Sequence, residues 1–219
     1  MVTLQDVKKN PEVETFIRKG NQYLGEMGMT EHGFRHVNLV ATIARNILER
    51  LNFPEREAEL AAIAGYLHDI GNVISRSDHG KTGAVIAYRI LTDMGMPPEE
   101  IATVMSAIAN HEETYGQPVN NVAAALILAD KSDVHRSRVR NPDIGAFDIH
   151  DRVNYAAEHS FLWVNEERRV ITLELTIDIE ICPVMEYFEI FLTRMALCRR
   201  AANFLKADFE LMINGAKLL

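Results

Sequence analysis

The 219 residues predict a mainly α fold, a helical bundle carrying a small C-terminal ββαβ appendage. Three observations predict it. Apolar residues recur three and four positions apart through most of the first 135 residues, which is the helical period. Proline and glycine stand where that pattern breaks, as starts and stops of helices. Beyond about residue 160 the spacing shortens to two, the strand repeat, before one last long helical stretch. The expected division is a helical domain over residues 1–159 and an α+β appendage over 160–219.

Pro11 opens a first helix that runs to about Met27, where the glycines of Gly25-Glu26-Met27-Gly28 end it. The stretch 33–51 is amphipathic, with the apolar residues between Val37 and Leu48 recurring at spacings of three and four. Pro54 precedes an alanine-rich helix over 55–69, and Gly71 reads as its C-cap, a position that can take positive φ. Helices over 80–94, 98–111 and 120–134 follow, marked by Gly95 and by Pro97-Pro98. Val134 to Gly145 has few large apolar residues and several arginines, so it reads as a loop beside a site. After a short helix near 150–158, Phe161-Leu162-Trp163-Val164 and Val170 to Ile179 alternate and are rich in β-formers, with polar Asn165 to Arg169 between them as a hairpin turn. Pro183 begins a helix to about Leu205, and Phe209 to Ile213 alternates again as a third strand.

Composition bounds the function. With 47% hydrophobic and 25% charged residues the chain can bury one sizeable core. No apolar run approaches the roughly 20 residues needed to span a bilayer, and Met1 to Lys9 lacks the order of a secretory signal, so no membrane partner and a cytoplasmic location are expected. Cys182 and Cys198 form neither a disulfide framework nor a zinc pattern. A formal charge of −8 argues against a nucleic-acid polymer as partner, since backbone binding needs a basic face. A small anion can still be held locally by metals and a few arginines.

The chemistry-bearing residues sit at the ends of these helices: His36, His68-Asp69, His79, His111 and Asp130. Imidazole and carboxylate suit iron, manganese, zinc or magnesium. His68-Asp69 closes the apolar run Ala58 to Leu67, at the point where a loosening last turn lets adjacent side chains share one cation. The second such pair, His150-Asp151, lacks that run and reads as a surface or capping pair. Asp130 ends the run Val122 to Ala129, too apolar to face water, and a buried carboxylate is costly without a cationic partner.

His36, His68-Asp69 with Ile70-Gly71, and Asp130 within Leu128-Ala129-Asp130-Lys131-Ser132-Asp133 resemble the HD superfamily of metal-dependent phosphohydrolases. The resemblance covers about the first 135 residues and implies a helical domain in which these four residues hold one divalent metal. Asp78-His79-Gly80-Lys81-Thr82-Gly83-Ala84 and Ile108-Ala109-Asn110-His111-Glu112-Glu113 resemble the further histidine motifs of two-metal members, in which Asp69 would bridge the ions and serve as the catalytic carboxylate. Two departures stand out: Asn72 replaces the lysine that often follows the glycine, and Asn110 precedes His111 where some relatives have a second histidine.

The resemblance implies a phosphate ester of a nucleotide or another small phosphorylated molecule as substrate, hydrolysed by metal-activated water with one or two ions of Fe, Mn, Mg or Zn. Lys131, Arg136, Arg35 and His32 are the substrate-binding candidates, with Arg76, Lys81 and Arg140 as further cations able to reach phosphate oxygens, and Glu112 as an acceptor for a ligand histidine. Two alternatives stay open: a di-iron oxygenase of the same superfamily, and a non-catalytic nucleotide sensor whose ββαβ segment binds a partner or forms a homodimer.

Overall fold

The computed structural model describes residues 1–219. Nine helices and one four-stranded sheet form around a single apolar cluster of 60 buried residues that runs from Val2 to Ile213, so the helical part and the appendage share one core. No helix is long and apolar enough to cross a membrane.

The chain begins with a helix that periodicity does not reveal, α1 (Leu4–Lys8), five residues held by a capping box between Thr3 and Asp6. In α2 (Pro11–Glu26), Asn10 caps the N-terminus and Val13, Ile17, Gly20 and Leu24 form the buried face. Helix α3 (Phe34–Arg50) buries the predicted stripe and, with it, His36. Helix α4 (Glu55–Leu67) is charged in its first turns and buried all round from Leu60 to Leu67, and it lies against α3, where Gly65 meets the backbone of Ala41 with no room for a Cβ.

The α4 terminus differs from the glycine C-cap reading. Gly71 does not adopt positive φ; among glycines only Gly28, Gly95 and Gly215 do. The helix passes through His68 and Asp69 into a 3-10 turn, Ile70–Val73. Gly71 is needed for a different reason: a Cβ there would collide with the His79 carbonyl and sit 2.7 Å from Gly83 N. Its bareness lets the next helix, α5 (His79–Asp93), pack directly on this turn.

Helices α5 and α6 (Pro98–Ala109) form a pair, and α7 (Asn121–Lys131) runs through the middle, with every residue from Val122 to Ala129 buried. It ends at Lys131, three residues before the predicted limit, because Ser132 caps it and the chain turns. The arginine-bearing loop contains two 3-10 turns, Arg136–Arg138 and Ile144–Ala146, before α8 (Ile149–Ala156).

Strands β1 (Ala157–Asn165) and β2 (Val170–Ile177) pair antiparallel as the alternation predicts, with β1 starting four residues before Phe161. Helix α9 (Val184–Phe204) then crosses over to β3 (Asp208–Ile213), parallel to β2, and a two-residue β4 (Ala216–Lys217) pairs with β3. The order β1-β2-β3-β4 puts β2 inside the sheet, which accounts for its near-continuous burial against the alternating edge strand β1. Helix α9 packs on both α7 and β3, and its Tyr187, Phe191, Met195 and Cys198 are buried.

Candidate metal centre

Five helix ends meet at one point. His36 lies in the first turn of α3, His68 and Asp69 immediately follow α4, His79 opens α5, His111 follows α6 by two residues, and Asp130 is the penultimate residue of α7. Asp78, before α5, is held in the left-handed region at φ 57°, a conformation aspartate tolerates better than most residues, and it starts the helix at His79. All four histidines and Asp69 are buried, none more than 6% exposed.

Each imidazole is oriented by its Nδ1. That atom of His68 donates to the Gly65 carbonyl at 2.8 Å, of His79 to Arg76 O at 3.0 Å, of His111 to Ile108 O at 2.6 Å, and of His36 to Asp133 Oδ2 at 2.7 Å. These partners only accept, so the hydrogen sits on Nδ1 and the lone pair on Nε2. The four Nε2 atoms turn inward in pairs, His36 to His68 at 3.2 Å and His79 to His111 at 3.1 Å. Two lone pairs so close repel unless a proton or a cation lies between them.

The carboxylates complete two nests. Around the first pair, Asp130 Oδ1 stands 3.3 Å from His36 Nε2 and 3.5 Å from His68 Nε2, while Asp69 Oδ2 stands 3.5 and 3.3 Å from the same atoms. Around the second, Asp69 Oδ1 is 3.1 Å from His79 Nε2. One carboxylate thus divides its oxygens between both nests. An ion with bonds of about 2.1 Å spaces neighbouring ligand atoms by about 3.0 Å in octahedral and about 3.4 Å in tetrahedral geometry, and the distances here match. Asp69 Oδ2 is buried and accepts no hydrogen bond from the protein, an unsatisfied atom that a cation would satisfy. The residues fit a metal.

The electrostatics agree. Burial opposes charge on His68, yet Asp69 and Asp130 overcome it and raise its pKa to about 10, so its inward Nε2 attracts a proton or a cation. His111, buried and facing His68 and His79, is pushed the other way and stays neutral. Burial would raise Asp69 and Asp130, but His68 acting on the first and Lys131 on the second hold both well below the carboxylate range.

A cavity of about 490 Å³ opens over the nests, and only 3 of its 21 lining residues are hydrophobic, so it is built for a polar ligand. His32 and Lys131 line it. His32 stacks edge-on against His36 with ring centroids 5.5 Å apart and is kept neutral by burial. Lys131 Nζ lies between Asp130 Oδ2 and Glu113 Oε2, 2.7 Å from each, so its charge is already engaged. Arg35 and Arg136 are not among the residues that line the cavity. Arg35 points away to pair with Asp133 at 2.7 Å and Glu31 at 3.1 Å, and Arg136 pairs with Glu158 at 3.0 Å. Arg140 bonds Asn21 instead, and Lys81 pairs with Asp78.

Several residues on or behind the wall escaped the sequence reading. Asp133 orients His36, and only its position one turn after Asp130 hinted at this. Arg138, Glu113, and Phe191 and Arg194 of α9 also line the cavity, and nothing local in α9 marks it as a cavity wall. His150 and Asp151 stand on the wall too, while the capping is done by Asp148, which accepts from Asp151 N. Asn72 donates to Asp69 Oδ1 at 2.9 Å, so it orients the shared carboxylate. Glu112 Oε1 lies 3.0 Å from His79 Nδ1 and accepts from Gly80 N, as expected of a histidine partner.

Known proteins resemble parts of this chain. An uncharacterised protein of Methanocaldococcus jannaschii is 29% identical over 167 residues, which span 65% of this chain and 63% of that protein. The crystal structure of a predicted HD superfamily hydrolase from an uncultured Thermotogales bacterium is similar with 26% identity and a TM-score of 0.45, covering 57% of this chain and 67% of that one. The HD domain family model matches residues 33–177, from the turn before His36 through β1 and β2, and thus takes in all six converging side chains. The chain belongs to the HD domain family.

Proposed function

We propose that this protein is a metal-dependent phosphohydrolase that cleaves a phosphate ester of a nucleotide or another small phosphorylated molecule. The carrying observation is the inward convergence of four imidazole lone pairs on two carboxylates, with Asp69 facing both nests. His36, His68, Asp69 and Asp130 would hold one divalent ion, and Asp69, His79 and His111 a second. Bound there, such ions would lower the pKa of water toward neutrality and offset charge developing on phosphoryl oxygens.

The protein's own groups supply the rest. The Nδ1 bonds fix all four rings before any ligand arrives, so no reorientation is needed during turnover. Lys131 keeps Asp130 ionised and positioned. The buried base of the cavity keeps bulk water from screening these charges.

Asp69→Ala tests the reading. Elemental analysis should show lost metal, and hydrolysis of p-nitrophenyl phosphate with added Mn²⁺ should fall by at least about a thousandfold while the far-UV spectrum stays helical; full activity in the variant would refute it. An oxygen requirement would instead identify the di-iron oxygenase, and tight nucleotide binding without product the sensor.

A further inference from the structure

Four cationic side chains line the cavity, and they differ in what they have left to offer. Lys131 is spent between two carboxylates. Arg138 is spent on backbone, donating from Nη1 to Asp133 O at 2.7 Å and from Nε to Glu31 O at 3.1 Å. Arg76 touches the rim of the second nest, with Nη1 at 3.6 Å from Asp69 Oδ1 and 3.4 Å from Asn72 Oδ1. Arg194, from α9, is anchored at one edge and one face only: its Nε donates to Glu113 Oε1 at 2.7 Å, and its guanidinium lies 4.5 Å over the Phe191 ring. No group in the protein accepts from its Nη1 or Nη2. A planar fork held this way has already lost its rotamer freedom and presents two parallel donors, the arrangement that matches phosphate oxygens.

The charge of the cavity narrows the anion. Asp69, Glu112, Glu113, Asp130, Asp148 and Asp151 set six carboxylates against the four cations, a formal −2 that two divalent ions would turn into +2. That complements the dianion of a phosphomonoester better than the single charge of a diester. The body of the substrate is constrained as well. Phe191 is the only aromatic ring in the cavity wall besides histidines, and Arg194 already covers it, so no phenyl, phenol or indole face is free for a nucleobase to stack on. Across the opening, Asp148, His150, Asp151 and Asn154 offer partners for hydroxyl or amino groups.

Resting on the phosphohydrolase reading, we propose that Arg194, with Arg76, clamps the terminal phosphate of a small hydroxyl- or amine-bearing phosphomonoester, so that the C-terminal appendage forms part of the active site. The probes are inorganic phosphate, in calorimetric titrations of Mn²⁺-loaded full-length protein, and a panel of sugar, polyol and amino-alcohol phosphates set against nucleoside monophosphates. Arg194→Met should weaken phosphate binding and raise KM by about 10- to 100-fold, with bound metal and helical content unchanged. Arg194→Lys, which keeps the charge and loses the fork, should fall between. Phosphate bound equally by wild type and both variants would overturn the clamp, and nucleoside monophosphates turned over faster than every other ester would overturn the substrate class. Failure of metal-loaded wild type to hydrolyse any phosphate ester would instead bring down the phosphohydrolase reading itself.

Discussion

At the scale of single residues, the site is governed by groups that never touch a ligand. Asp133 is the clearest. It is buried, accepts from His36 Nδ1, and pairs with Arg35 while Arg138 stands 3.7 Å away. These partners hold its pKa far below the carboxylate range against the opposing effect of burial. Asp133→Asn preserves the shape and an acceptor oxygen but removes the charge that makes His36 a better electron donor. Metal affinity, read by chelator competition, should drop roughly 10–100-fold with the fold retained; an unchanged affinity would mean that Asp133 serves only structure. Asp133→Ala is the poorer test, because it strands the buried Arg138 guanidinium and risks unfolding.

Among elements, the approach of α3 to α4 sets the distance between His36 and His68. Gly65 allows that approach: a Cβ there would lie 2.8 Å from Ala41 Cα and 2.9 Å from Ala41 N. Gly65→Ala brings two opposed effects. Helix propensity favours alanine by about 1 kcal/mol, whereas overpacking costs about 1–3 kcal/mol. Because the obstructing atoms are backbone and cannot rotate aside, the second effect should win. Urea unfolding should show a loss of up to about 2 kcal/mol, and metal should bind more weakly as the two imidazoles separate. A more stable variant would show that the helices can slide without cost.

For the whole molecule, one core joins the bundle and the sheet, so a ligand that gathers five helix ends should stabilise everything at once. Saturation to 100 times Kd adds about 2.7 kcal/mol, and in a chain of this size each kcal/mol raises Tm by about 2–4 °C. Adding Mn²⁺, Fe²⁺, Mg²⁺ or Zn²⁺ to metal-stripped protein should therefore raise Tm by about 5–10 °C for whichever ion the site prefers. No shift with any of them, or the same shift in Asp69→Ala, would contradict a metal held at these residues. At this scale the division between sequence and tertiary structure is also plain. Periodicity and punctuation determined the helices from α2 onward, the hairpin and the third strand, because each is written in neighbouring residues, and the six metal-binding candidates were marked by their motifs' resemblance to a known family. Helix α1 escaped because five residues are too short to show a period, and Gly71 was misread because its need for room comes from α5 and not from its own helix. Which arginines face the cavity was decided only by packing: Arg35 and Arg136 lie close to ligands in the chain yet turn to Asp133 and Glu158, while Arg194, 64 positions beyond Asp130, reaches the wall. A side chain's neighbours across a core depend on how distant helices dock, and local sequence holds no record of that contact.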